Sequence, residues 1–243
     1  MRKYFILTLC IIGWFFSGSA QAQATTQQLT KDLQYLAEKL PKKHASFETF
    51  TTRAKFQQNV EALAKKIPQL NQTQFRLELM KLVASLNDQS TTLPLGDQLH
   101  AFPLGTYWFA DGLHIVSASP KYTQYKGYQI THINQTPIEQ VWEKVRPYLS
   151  AENDYARKQR FFVTRGLLAE LLHYTGVISQ PNEAQFTLKA PNGKTEKVTV
   201  KAVGIKSFLQ SVVYDQVAPT TMPANTHRQK KNYWFKYLGT GIK

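Results

Sequence analysis

For chemistry, this chain offers six histidines, sixteen carboxylates and a single cysteine. The histidines are His44, His100, His114, His132, His173 and His227. No H-E-x-x-H occurs, and no two histidines stand at helical metal-ligand spacing. Each is therefore expected in a structural or surface role. There is no G-x-S-x-G elbow to expose a serine nucleophile. The carboxylates are scattered, with no pair suited to general acid and base work. Cys10 lies inside an apolar leader and offers no nucleophile to the rest of the chain. Residue types alone thus assign no catalytic residue, no cofactor-binding residue and no metal ligand.

The elements that would have to position any site begin after that leader. Arg2 and Lys3 precede an apolar run over residues 4–16, and the small residues GSAQAQA follow at 18–24. This is the pattern of a secretory signal peptide, residues 1–24, with an A-x-A cleavage site. The apolar run is shorter than the roughly 20 residues that a membrane-spanning helix needs. An exported protein is expected, periplasmic or extracellular, with a core held by packing alone because cleavage removes Cys10. The net charge is +14. Export argues against nucleic acid as its partner. An anionic membrane surface is a weaker reading, because pairs such as Lys42-Lys43 and Lys65-Lys66 are dispersed along the chain.

Residues 25–90 read as a helical subdomain. Leu29, Leu33, Leu36 and Leu40 form one apolar stripe, ended by Pro41. Phe56, Val60, Leu63 and Ile67 form a second, ended by Pro68. Thr73 is expected to cap a third helix carrying Phe75, Leu79, Leu82, Val83 and Leu86. Residues 91–203 read as β-rich. Tyr107-Trp108-Phe109, a turn at 110–112 and a return through Val116 predict a hairpin. A second hairpin is predicted over 184–203 around Asn192-Gly193.

Between the hairpins, residues 127–149 read as strand, Asn134-Gln135 turn and helix. Thr136 and Glu139 are expected to form a capping box, with Pro137 at the first helical position. Ile138, Val141, Trp142, Val145 and Leu149 share one face, and Pro147 should end or kink the helix. Ser150 is expected to cap one further helix reaching about Tyr174, with Gly176 beyond its end. Residues 204–231 read as a linker, and Tyr233 to Tyr237 as a strand-like aromatic run. The fold class is α+β: a helical subdomain followed by a small β-rich domain.

The order of motifs adds a resemblance. An S-x-x-D-x-x-T turn at Ser85, Asp88 and Thr91 is followed by F-P-L-x-x-Y-W-F-x-D-G-L at 102–113. I-x-x-I-N-x-x-P-I-E-x-V at 130–141, S-A-E-N at 150–153 and N-Y-W-F at 232–235 complete the series. In this order the motifs resemble the N-terminal region of secreted tail-specific, or C-terminal processing, serine peptidases. The resemblance implies a PDZ-like domain over 91–203 that binds peptide or protein C-terminal segments, and the start of a protease domain at 232–243. The serine nucleophile and its lysine lie later in that family and have no counterpart before Lys243, so a truncated, inactive form is expected. The alternative is a stand-alone exported peptide-binding module of PDZ-like type. Relatives often carry D-x-H-T where this chain has Asp88, Gln89, Ser90 and Thr91. Ser90 thus stands where a histidine is expected, and a hydroxyl cannot shuttle a proton near neutral pH as imidazole does.

Overall fold

The computed structural model describes residues 9–162 and 165–212, with side chains described for 25–161 and 166–212. The expected leader side chains, the linker residues 213–231 and the aromatic run at 233–237 lie outside these. Helices come first: α1 (Leu9–Lys43), α2 (Phe47–Phe50), α3 (Arg53–Lys66) and α4 (Gln72–Ala84). Strands β1 (His100–Ala101), β2 (Leu104–Phe109), β3 (Gly112–Ala118), β4 (Gln129–Ile133) and β5 (Thr136–Pro137) follow. Next are α5 (Ile138–Val145), α6 (Asp154–Phe162) and α7 (Ala169–Tyr174). Then come β6 (Glu183–Lys189), β7 (Thr195–Lys201), β8 (Val203–Gly204) and α8 (Ile205–Ser211). The fold is α+β, as the two periodicities in the sequence require. Among the described residues, no helix is long and apolar enough to cross a membrane.

The main sheet is antiparallel in the order β2-β3-β4-β6-β7, with β5 paired to β4. Both predicted hairpins form. Phe109 pairs with Gly112 across a two-residue turn, and Lys189 pairs with Thr195 across a loop that contains Gly193 at φ +86°. β2 and β7 end the sheet. β7 carries Lys197 and Lys201 exposed on its outer face, a charge pattern that discourages pairing with a stray strand.

Two apolar clusters result. One gathers Leu29, Leu33, Phe56, Leu63 and Phe75 among the helices; the other lies under the sheet, around Phe102, Leu113, Ile130, Val141 and Phe186. Helix α4 serves both: Phe75 and Leu82 belong to the first cluster, Leu77 and Met80 to the second. The stripe expected on α4 was one-sided; its second buried side faces the sheet. Glu78, buried on the same helix, accepts hydrogen bonds from Lys66 Nζ at 3.0 Å and Tyr174 Oη at 2.9 Å.

Several local expectations give way to tertiary structure. Pro41 lies inside the last turn of α1, which continues to Lys43. Asn71, not Thr73, caps α4, in a reciprocal box with Gln74. The Thr136 capping box does not form, because Thr136 and Pro137 pair with Ile133 and His132 around the Asn134 turn. Asn134 adopts the left-handed backbone foreseen for it, at φ +50°. The single helix expected from Ser150 to Tyr174 is broken. Asn153 Oδ1 caps α6, and the chain then leaves the helix at 165–168 to bond β1 and its neighbour, Phe102 N–H to Leu167 O at 3.1 Å and Ala101 opposite Leu168. Residues 204–211, expected at the start of a linker, complete β8 and form α8 because Ile205 and Phe208 reach the sheet core.

Candidate functional site

The turn after α4 holds the residues singled out by motif. Asn87 sits at φ +57°, which turns the chain and brings Asp88 inward, where it is buried. Its carboxylate accepts the Ser90 N–H at 2.9 Å and the Thr91 hydroxyl, so Asp88 and Thr91 come together. Ser90 contributes its backbone and keeps an exposed side chain.

The structure adds a residue that no spacing rule in the sequence could reach. His44, from the corner after α1, places Nε2 at 2.9 Å from Asp88 Oδ2, with both side chains about nine-tenths buried. Ser46 N–H points to His44 Nδ1 at 3.3 Å, which assigns the ring proton to Nε2. Phe47 and Phe50 meet the imidazole edge-on.

Desolvation raises the Asp88 carboxyl. The Thr91 hydroxyl, the Ser90 N–H and His44 outweigh it, and the group sits below the ordinary carboxylate range. Both imidazole nitrogens are engaged, so this histidine–carboxylate pair ties the α1–α2 corner to the turn. From the other side, Arg157 of α6 donates to Asn87 Oδ1 at 2.9 Å and Arg160 to Gln89 O at 2.6 Å.

Two further histidines pair with carboxylates, His100 with Glu170 at 2.7 Å and His114 with Asp111 at 3.1 Å. Among the described residues no group of three such side chains could hold a metal ion.

A second feature lies where α6 packs against the end strand β2. Trp108 of β2 faces Trp142 of α5 and Phe161 of α6, with ring centroids 5.9 Å away in each case. Lys158 Nζ stands 5.1 Å from the centre of the Trp108 ring and 6.0 Å from that of Trp142. Thr106 Oγ1 and Trp108 Nε1, two residues apart on β2, and Ser117 Oγ on β3 are buried without hydrogen-bond partners among the described residues. Such groups are costly unless something satisfies them.

Along the seam where β2 and α6 meet, the exposed margin forms a lane with an aromatic rim. Tyr107 and Phe109 lie 4.9 Å apart, Phe109 is 51% exposed and Tyr155 of α6 is 70% exposed. A hydrogen bond with Tyr155, together with desolvation, pushes the Tyr107 phenol up. The β-prone Tyr107-Trp108-Phe109 run had signalled the strand; its place beside α6 needed the fold.

No family model matches this chain, and no curated protein matches it in sequence. Solved structures do match. Mature CPAF, a chlamydial serine protease of the tail-specific protease-like kind, aligns at a TM-score of 0.52 and 16% identity, over 74% of this chain and 35% of CPAF. Mature CPAF complexed with lactacystin aligns at a TM-score of 0.52 and 15% identity, with the same coverage. A CPAF point mutant gives 0.51 and 14%. The chain spans about a third of the length of these proteins. At such identity the likeness concerns the fold alone: three quarters of this chain shares its fold with a third of CPAF.

Proposed function

We propose that this chain is the non-catalytic, peptide-holding part of an exported protein related to the tail-specific serine peptidases, and that the lane along the exposed margin of β2 and α6 receives an extended segment of a protein substrate. The observation that carries this reading is the lane itself. It pairs an end strand of the sheet with a helix, an aromatic rim, and buried polar atoms that lack partners among the described residues. An added strand supplies backbone donors and acceptors to an end strand and places alternate side chains in pockets. The fold shared with CPAF and the collinear motifs support the same reading. The residues described here include no nucleophile joined to a base, and the His44–Asp88 pair acts as a latch.

The test is hydrogen–deuterium exchange with a panel of extended peptides. Saturable binding should protect the amides of residues 105–109. Protection elsewhere, or no binding by any peptide, would refute the assignment. The purified chain should not turn over fluorogenic versions of the peptides it binds.

A further inference from the structure

Lys158 lies one helical turn beyond Tyr155 and one before Phe161, on the side of α6 that meets β2. Its ammonium contacts the faces of Trp108 and Trp142 and forms no ion pair with a described carboxylate. The other cations of α6 are engaged: Arg157 with Asp154, Asn87 and two carbonyls, and Arg160 with Gln89 O. The acidic neighbours are engaged too, since Asp154 meets Arg157 and Arg146, and Asp111 meets His114. Among the described residues, the lane is therefore lined by one cation held only by aromatic faces. A cation over a ring is a weaker partner than a charge-assisted hydrogen bond to a carboxylate in a partly desolvated site. The whole chain adds a field of the same sign, with a net charge of +14 that steers anionic segments toward it.

We propose that the β2–α6 lane is selective for acidic peptide segments, with Lys158 as the specificity-determining residue. An aspartate or glutamate side chain of the bound segment takes the ammonium from the faces of Trp108 and Trp142. This rests on the peptide-holding reading of the lane, and the experiment separates the two. Fluorescently labelled peptides with amidated C-termini would carry Glu or Asp in one set and Gln or Asn at the same positions in the other. Anisotropy titrations would use the full chain, Lys158→Met, which keeps an apolar stem without the charge, and Lys158→Arg, which keeps the charge.

The wild type should bind the acidic set about tenfold more tightly, the scale of one charge-assisted hydrogen bond. Lys158→Met should bind both sets alike, and Lys158→Arg should retain the preference. In a chain with Trp14 and Trp234 replaced by Phe, acidic peptides should change the tryptophan emission and their amide counterparts should change it less. Equal binding of the two sets by the wild type overturns the selectivity and leaves the lane standing. A preference that survives in Lys158→Met also overturns it, and assigns the effect to net charge. Absence of binding by every peptide overturns both readings.

Discussion

Asp88 and His44 show what single residues do here. The Asp88 carboxylate satisfies three donors from two separate stretches of chain, and each would otherwise be buried or half-buried without a partner. Asp88→Asn keeps the shape but turns part of the acceptor into a donor, and should cost about 1–3 kcal/mol in urea unfolding at pH 7. The pH dependence has a definite sign. The folded carboxyl is lowered, so its contribution is present above the unfolded value of about 3.9 and is lost as pH falls through the folded value. The stability gap between wild type and Asp88→Asn should hold steady near neutrality and narrow only below about pH 4. A gap independent of pH would show that the charge contributes nothing. Trp142, only 7% exposed, belongs to the same scale. Trp142→Ala should cost about 3–5 kcal/mol, and a loss under about 0.5 kcal/mol would contradict its place between Trp108 and Phe161.

At the scale of elements, α6 is held mainly by polar means. Among its described side chains only Phe161 is fully buried. Arg157 binds Leu149 O, Ala151 O, Asn87 Oδ1 and Asp154 with one guanidinium, joining α6 to the turn after α4. A lysine has the charge but not the planar fork. Arg157→Lys should therefore destabilise by about 1–3 kcal/mol and speed hydrogen exchange in α6 and at Ser90 and Thr91 before it affects β6 and β7. Uniform acceleration across the sheet would show that α6 is not a separately anchored element. β2 has its own constraint. A Cβ on Gly105 would stand 1.9 Å from Ser117 Oγ and 3.3 Å from Ser117 Cβ and Val212 Cγ1, so Gly105→Ala should turn the Ser117 hydroxyl aside, press on Val212 and lower the melting temperature.

For the molecule as a whole, α4 is the shared wall. Its buried side chains divide between the helical cluster and the sheet cluster, and Glu78 connects α3 to α7 across it. Burial, followed by the nearby Glu78 charge, pushes the Tyr148 phenol up to about 12, as expected for a group enclosed at this junction. Two cores that share one helix should unfold together. Leu77→Ala and Leu82→Ala, on opposite sides of α4, should each cost about 2–5 kcal/mol and shift one common transition seen by both near- and far-ultraviolet circular dichroism. Separate transitions for the two signals would show two independent folding units.

The sequence by itself determined what depends on local periodicity and backbone preference. The α+β class, the hairpins around Gly112 and Gly193, the left-handed Asn134 and the buried face of α5 follow from alternation, helical spacing and turn chemistry. It also marked the Asp88–Thr91 turn by type and order. Tertiary structure decided whatever depends on meetings between distant stretches. His44 and Asp88 are 44 residues apart, so no window around either reveals the pair. The helix expected to run to Tyr174 yields at Leu167 because backbone groups there bond to Phe102 and face Ala101, a long-range demand stronger than local helical preference. The second buried side of α4 and the place of Lys158 between two tryptophans likewise arise only when the sheet closes against the helices, since a residue's environment is fixed by which surfaces pack and not by its neighbours in sequence.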